Sequence, residues 1–381
     1  MKLLLLLFLA ASLTSAEFFD RPCDRNPANF WLDIVIVVDN SRCMTNQNLD
    51  LVVANIVDTF GSGTRIGTNY ADPRSTRVGL VTYGQEATIA ADLNKYQSAH
   101  DLFKGAHDAL SGVQDTDESY LFKGLQAAEQ VLSAGRSNNY RGNYKQMIIV
   151  YAATYQGTNQ TNPVIVADRL KNNGVNIAVV DMIQYDGSRN YEKLKAIATQ
   201  FMFYDYGFFQ GEGVRDSLYR TNCFCRSSWT QYLDAVNIPY GDCLQVSSQT
   251  TNWFAAKLAC QNSAPKAYLV TDSDRYKHKF VQSMFQNITG STSGYHIGLN
   301  FLNGDWYWQQ ALGQPLVKLS DINRPDDILW YKGYPKTASS NTGVAYIADM
   351  DGAGWENINP YNNNQYYICQ VNACDTENYC S

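Results

Sequence analysis

The chain has 381 residues and a formal net charge of −6, with 45% hydrophobic, 13% aromatic and 17% charged residues. At ~150 residues per domain this length predicts two or three domains, and the hydrophobic content is ordinary for packed cores. The acidic balance leaves no basic footprint, which argues against nucleic acid and acidic membrane surfaces as partners.

The opening stretch, MKLLLLLFLAASLTSA, has a lysine at position 2, a leucine-rich run and a small-residue end. It reads as a secretory signal peptide over residues 1–16, and its apolar run is too short to span a bilayer. No later stretch is long and apolar enough for a membrane helix, so the mature chain is expected to be secreted, soluble and extracellular. Nine cysteines in an exported chain read as disulfides with one left over. They stand at Cys23, Cys43, Cys223, Cys225, Cys243, Cys260, Cys369, Cys374 and Cys380. The long block without cysteine between Cys43 and Cys223, followed by a cysteine-rich one, predicts two domains meeting near NCFCRSS. The expected boundaries are residues 24–222 and 225–370, with a cysteine-containing tail over 371–381.

From residue 31 to about 222, strand-like and helix-like segments alternate. In LDIVIVVD the uninterrupted apolar run Ile34 to Val38 suits a strand covered on both faces. NLDLVVANIVDTF follows as an amphipathic helix, with Leu49, Val52, Val53, Ile56, Val57 and Phe60 on one face. TRVGLVTYG and ATIAADL read as a hairpin. Then come the helices SAHDLFKGAHDAL and LFKGLQAAEQVLSAG, the strand QMIIVYAA and the helix PVIVADRLKNNG, which has Pro163 near its start and Gly174 at its end. The strand VNIAVVDMI, the helix YEKLKAIATQ and the strand FMFYDY complete the series, which predicts a doubly wound α/β sheet. GSGTRIG follows a helix rather than a strand, so it is a poor dinucleotide loop. Asp39 and Ser41 stand where the first strand ends, the place at which open α/β sheets put their ligands.

This order of elements, together with DIVIVVDNS, resembles a von Willebrand factor A domain. That resemblance implies a metal site built from three loops, because a hard divalent cation demands several oxygen ligands. Asp39 and Ser41 match its first two ligands, and Cys43 stands at the second serine. ESYLFKGLQAA is similar to the second loop, with Ser119 in place of threonine. IIVYAAT is similar to the third loop, with Ala153 at the aspartate position. One carboxylate and one hydroxyl are gone, and a thiol suits softer metals than Mg or Ca. The expectation is a retained fold whose degenerate site (Asp39, Ser41, Ser119) holds no metal.

From Cys225 onward Gly, Asn, Trp and Tyr become dense. CRSSW…GDCLQV, NWFAAKLAC, GYHIGLN, GDWYWQQ, GVAYIAD, GWENI and YYICQ, taken in order, resemble the hairpin, second helix and later strands of C-type lectin-like domains. The implied architecture is an α+β lectin-like domain after the α/β one. The family's inner disulfide positions read Val344 and Pro360, so both partners are absent together. The family's calcium loop reads GYPKT, with Tyr334 and Lys336 at the two side-chain ligand positions, and WEN retains Glu356 and Asn357. Calcium takes six to eight oxygens, and an ammonium at that spot repels the ion. Calcium-free recognition is therefore expected, through Tyr331, Tyr334, Lys336, Glu356 and Asn357. A calcium-dependent carbohydrate-binding lectin using Glu356, Asn357 and loop carbonyls is the alternative. Trp306, Trp308 and Trp355 are expected to pack the core, while Tyr331 and Tyr334 lie in the long loop, where recognition usually sits.

Order and family pattern together imply the pairs Cys23–Cys223, Cys225–Cys243, Cys260–Cys369 and Cys374–Cys380, which leaves Cys43 as a free, packed thiol. Asn159 in NQT and Asn287 in NIT are glycosylation sequons. The four histidines (His100, His107, His278, His296) form no catalytic or zinc motif, so no enzyme is expected, an enzyme without a recognisable motif being the third alternative. The two-domain arrangement is similar to secreted lectin-like proteins abundant in nematodes, several of them associated with defence against microbes. By that resemblance the partners are glycans or extracellular proteins.

Overall fold

A computed structural model of the chain describes residues 23, 25–61, 63–68, 74–136, 141–142, 144–184, 186–205, 212–337 and 339–375. The expected signal peptide and Cys380 lie outside these residues. Two compact units are present: Cys23–Phe224 together with Cys374, and Cys225–Ala373.

The first unit runs β1 (Leu32–Asp39), α1 (Asn46–Phe60), β2 (Arg77–Tyr83), β3 (Ala87–Ala91), α2 (Ala99–Ala109), α3 (Leu121–Gly135), β4 (Lys145–Ala152), α4 (Pro163–Asn172), β5 (Val175–Asp181), α5 (Tyr191–Lys195), β6 (Phe203–Asp205) and α6 (Glu212–Asn222). The sheet order is β3-β2-β1-β4-β5-β6. All pairs are parallel except the β2–β3 hairpin. Every residue of β1 is buried. Ile34, Ile36 and Val38 enter one core while Val35 and Val37 enter the other, which is why the apolar run does not alternate. From β1 the chain winds outward through β2 to β3, then returns to β4 on the other side. The carboxyl ends of β1 and β4 therefore bracket the switch point. At the opposite end of β1, fully buried Asp33 accepts hydrogen bonds from Arg77 (2.7 and 2.9 Å) and Arg141 (3.0 Å), so its charge is paired.

Three sequence expectations change here. Val57 is 40% exposed, so the apolar stripe of α1 is narrower than its spacing implies. The expected helix over YEKLKAIATQ is helical only from Tyr191 to Lys195. Helix α6 was not anticipated, because in EGVRDSLYRTN only Val214 and Leu218 supply buried aliphatic anchors.

The second unit runs β7 (Thr230–Leu233), β8 (Pro239–Val246), α7 (Trp253–Ser263), β9 (Tyr268–Leu269), α8 (Arg275–Thr289), β10 (Gly294–Leu302), β11 (Asp305–Trp308), β12 (Val317–Lys318), α9 (Leu319–Ile322), β13 (Gly343–Asp349), β14 (Gly352–Ile358) and β15 (Tyr366–Asn372). Strands β12-β11-β10-β15-β8-β7 form the main path, with β13 and β14 added on β10 and β9 on β15. NWFAAKLAC forms the first long helix of this unit, not the second; the second is α8. Trp308 and Trp355 are fully buried, while Trp306 and Trp330 pack against the same core half-exposed. Val344 fills the core at one lost disulfide position.

Disulfides join Cys23–Cys223, Cys225–Cys243 and Cys260–Cys369, as expected. Cys374 is also disulfide-bonded. Cys43 is free and half-buried rather than fully packed.

Candidate functional site

Asp39 ends β1 and is completely buried. Its Oδ1 accepts the Ser41 backbone N–H at 2.9 Å. Its Oδ2 lies 3.0 Å from the Ser119 hydroxyl, which also lies 3.1 Å from the Thr154 carbonyl. Burial pushes the Asp39 carboxyl up to about 6, against the downward pull of the Ser41 and Ser119 hydrogen bonds. Backbone bonds from Arg42 to Thr116 (2.8 Å) and from Gln156 to Ser119 (2.7 Å) hold the three loops together. The sequence-expected residues Asp39, Ser41 and Ser119 thus meet at one place. Cys43 stays a thiol, its pKa raised first by burial and then by the nearby Asp39 charge.

Ala153 is fully buried and offers no side-chain oxygen. Across the three loops the cluster has one charged side chain, Asp39, whose oxygens face the Ser41 amide and the Ser119 hydroxyl, with the Ser41 hydroxyl beside them. Among the described residues no group of three His, Cys, Asp or Glu is arranged to hold a metal ion. A hard divalent cation needs more oxygen donors than this, so the residues present do not fit Mg or Ca. A further carboxylate lies next to this cluster without any local signature in the sequence. Asp181 ends β5, is fully buried, has no hydrogen bond to either carboxylate oxygen, and is pushed up to about 6 by burial. Its position in VNIAVVDMI looks like any strand residue; only the β4–β5 register, which sets it beside Ala152, places it here.

In the second unit the long loop is strapped to β14. Trp355 N–H donates to Leu329 C=O at 2.7 Å, and Tyr331 N–H to Trp355 C=O at 3.0 Å. A Cβ at Gly354 would come within 2.7 Å of the Tyr331 nitrogen, so only glycine admits this approach. The Tyr334–Pro335 peptide is cis. Lys336 N–H donates to Asn357 Oδ1 at 2.7 Å, and Asn357 Nδ2 donates to the carbonyls of Lys336 (2.9 Å) and Asn341 (3.0 Å). The buried Asn357 amide is thereby turned into the loop rather than outward. Exposed Lys336 donates from Nζ to the Tyr334 hydroxyl at 2.7 Å and sits 4.3 Å from that ring's centroid. This hydroxyl raises the Lys336 ammonium above its ordinary value. The Tyr331 hydroxyl donates to Asp349 Oδ1 at 3.0 Å, and its ring meets Tyr334 edge-on at 6.3 Å. Glu356 is half-buried on β14, and its charge acts on both Tyr331 and Lys336. Four of the five expected residues therefore form one surface around the loop, and the fifth fixes its shape.

The histidines stay apart: His100 and His107 are exposed on α2, His278 is on α8 and His296 on β10. Asn159 is exposed in the turn after β4, and Asn287 is exposed on α8.

Residues 33–210 match the von Willebrand factor type A domain family, and residues 249–371 match the C-type lectin domain family. The chain thus combines a von Willebrand factor A-like α/β fold with a C-type lectin-like α+β fold after it. Among known proteins it is similar to C-type lectin domain-containing protein 160 of Caenorhabditis elegans, 23% identical over 95% of this chain. The chain spans 56% of that relative's length. It is also similar to proximal thread matrix protein 1 from the mussel byssus, at 19% identity and a TM-score of 0.41, covering 53% of this chain and 48% of that one. The C-type lectin domain of murine dendritic cell inhibitory receptor 2, solved in complex with N-glycan, is 20% identical with a TM-score of 0.30, covering 39% of this chain and 98% of that one.

Proposed function

We propose that this chain is a secreted, non-enzymatic recognition protein that binds glycan or protein ligands without a metal ion. The lectin-like unit carries the contact through Tyr331, Tyr334, Lys336 and Glu356, with Asn357 holding the loop. The observation that supports this reading is the state of the loop itself: the Asn357 amide is spent on the Lys336 backbone and the Asn341 carbonyl, and the Lys336 ammonium donates to the Tyr334 hydroxyl in the same loop. Lys336 supplies hydrogen-bond donors and positive charge, while the two tyrosines supply rigid ring surface. The resemblance to nematode lectin-like proteins extends the proposal to host defence, and the sequons at Asn159 and Asn287 make it a glycoprotein. A glycan and protein array probed with the secreted chain, with calcium and with EDTA, tests it. Binding should survive EDTA and weaken about tenfold in Lys336→Ala. Binding that EDTA abolishes and Ca²⁺ restores would replace this reading with a calcium-dependent lectin using Glu356.

A further inference from the structure

Helix α8 turns a lysine inward. Lys277 is fully buried, and so are Asp242 on β8, Gln370 on β15 and Thr271 between β9 and α8, which gather about its amine. Burial disfavours the charged form of any amine and keeps bulk water from competing for its partners.

These groups form more than an ion pair. Lys277 Nζ lies 3.1 Å from Gln370 Oε1 and 3.9 Å from Asp242 Oδ2, so the amine sits nearer to the carboxamide than to the carboxylate. Gln370 Oε1 also accepts the Thr271 backbone N–H at 3.1 Å. On its other side Gln370 Nε2 donates to Asp242 Oδ1 and to the Tyr268 hydroxyl, each at 3.1 Å. The Tyr232 ring, its centroid 5.7 Å from Nζ, helps to close the site.

Acyl transfer needs a nucleophile beside a carbonyl, a donor on the carbonyl oxygen, and a proton carrier between nucleophile and leaving group. Lys277 Nζ, the Thr271 N–H and Asp242 stand in those three places around the Gln370 carboxamide. Holding them together in a packed interior removes the entropic cost of bringing them into contact.

We infer that Lys277 and Gln370 join in an intramolecular isopeptide bond. Nζ passes one proton to Asp242 and attacks Gln370 Cδ as the neutral amine. The Thr271 N–H holds the oxyanion of the tetrahedral intermediate. Asp242 delivers its proton to Nε2, the Cδ–Nε2 bond breaks, and the carbonyl re-forms. The carboxylate then takes a second proton from Nζ and hands it to the departing ammonia, which leaves as ammonium. One Cδ–Nζ bond replaces one Cδ–Nε2 bond, nothing is oxidised or reduced, and Asp242 ends ionised as it began. The bond ties α8 to β15 across 93 residues of chain, and unlike the disulfides of this unit it survives reduction.

The test is a tryptic peptide map of the full secreted chain, reduced, alkylated and freed of glycans. A branched peptide should join the segment holding Lys277 to the segment holding Gln370, lighter than the two by one ammonia, with cleavage after Lys277 lost. Asp242→Asn keeps the shape of that side chain but removes the proton carrier, so it should leave the two segments separate and Lys277 cleavable. Lys277→Met removes the nucleophile and should do the same. Circular dichroism checks the folding of both variants. The inference is overturned if the wild-type chain yields the two segments separately, a result that requires no variant to fold. A cross-link lighter by one water, joining Lys277 to Asp242 instead, overturns it as well. Full cross-linking in Asp242→Asn would overturn the step assigned to that carboxylate.

Discussion

Lys336 and Asn357, on different segments of the lectin-like unit, exchange two hydrogen bonds through the Lys336 backbone: N–H to Oδ1 at 2.7 Å and Nδ2–H to C=O at 2.9 Å. One buried amide thus fixes the loop that carries the candidate contact residues. Asn357→Ala strands the Lys336 amide and the Lys336 and Asn341 carbonyls, and should cost about 2–3 kcal/mol. Urea unfolding reads the loss, and faster hydrogen exchange at the Lys336 amide locates it. Unchanged exchange there would show that the loop does not depend on Asn357.

Asp39 gives the first unit a pH dependence of definite sign. Its folded pKa, about 6, lies above its ordinary value of 3.8. The stabilising contribution of the protonated form is complete below that ordinary value and is lost as pH rises through 6. Asp181, also raised to about 6, acts in the same direction. Asp39→Asn keeps an acceptor for the Ser41 amide and cannot ionise. It should stabilise the unit at pH 7.5 by about 3 kcal/mol and do little at pH 4. Hydrogen exchange of the β1 amides at the two pH values checks this.

His278 carries the same sign in the lectin-like unit. Burial lowers its pKa, but the charge and hydrogen bond of Asp272, 2.6 Å away, outweigh that and leave it raised. Asp272 Oδ2 also accepts the Trp355 indole N–H at 3.1 Å, and the His278 ring meets Tyr346 edge-on at 4.9 Å. The stability from this pair is full below the ordinary histidine value of 6.5 and fades as pH rises past the folded one. His278→Gln should remove about 1.5–3 kcal/mol at pH 6 and less at pH 9. Denaturant midpoints at both pH values decide it; a loss that is the same at both would point to packing alone.

The Cys260–Cys369 bridge closes a separation of 109 residues and ties α7 to β15. Replacing both cysteines by alanine should cost about 3–5 kcal/mol. The expected readout is a lower thermal midpoint for the lectin-like unit, with hydrogen exchange in β1 unchanged.

The first unit's sheet end supports a gain-of-function test. Calorimetry should find no Mg²⁺ binding to the wild-type chain. The double variant Cys43→Ser, Ala153→Asp restores a hydroxyl and a carboxylate beside Asp39 and should bind Mg²⁺. Micromolar Mg²⁺ affinity in the wild type, lost in Asp39→Ala, would show that the remaining oxygens suffice.

Local pattern was enough wherever one element's burial is written in its own residues. The Ile34–Val38 run announces a strand covered on both faces, and Pro163 with Gly174 brackets α4. The lectin-like strands follow one another in a recognisable order, and three disulfides fell where order and family pattern put them. Helix α8 was hidden for a physical reason: Lys277 occupies one of its core positions, fully buried, with Nζ donating to Gln370 Oε1 at 3.1 Å. A charged residue in that register breaks the apolar period, and its partner lies 93 residues away. Distance in sequence likewise separates Asn357 from the loop it holds, Asp181 from the switch point it borders, and Phe254 from Tyr361. Periodicity reports which side of one helix or strand faces inward. Which polar groups satisfy one another, and which rings come to share a surface, depends on packing between segments far apart in the chain, and only the tertiary structure decided that.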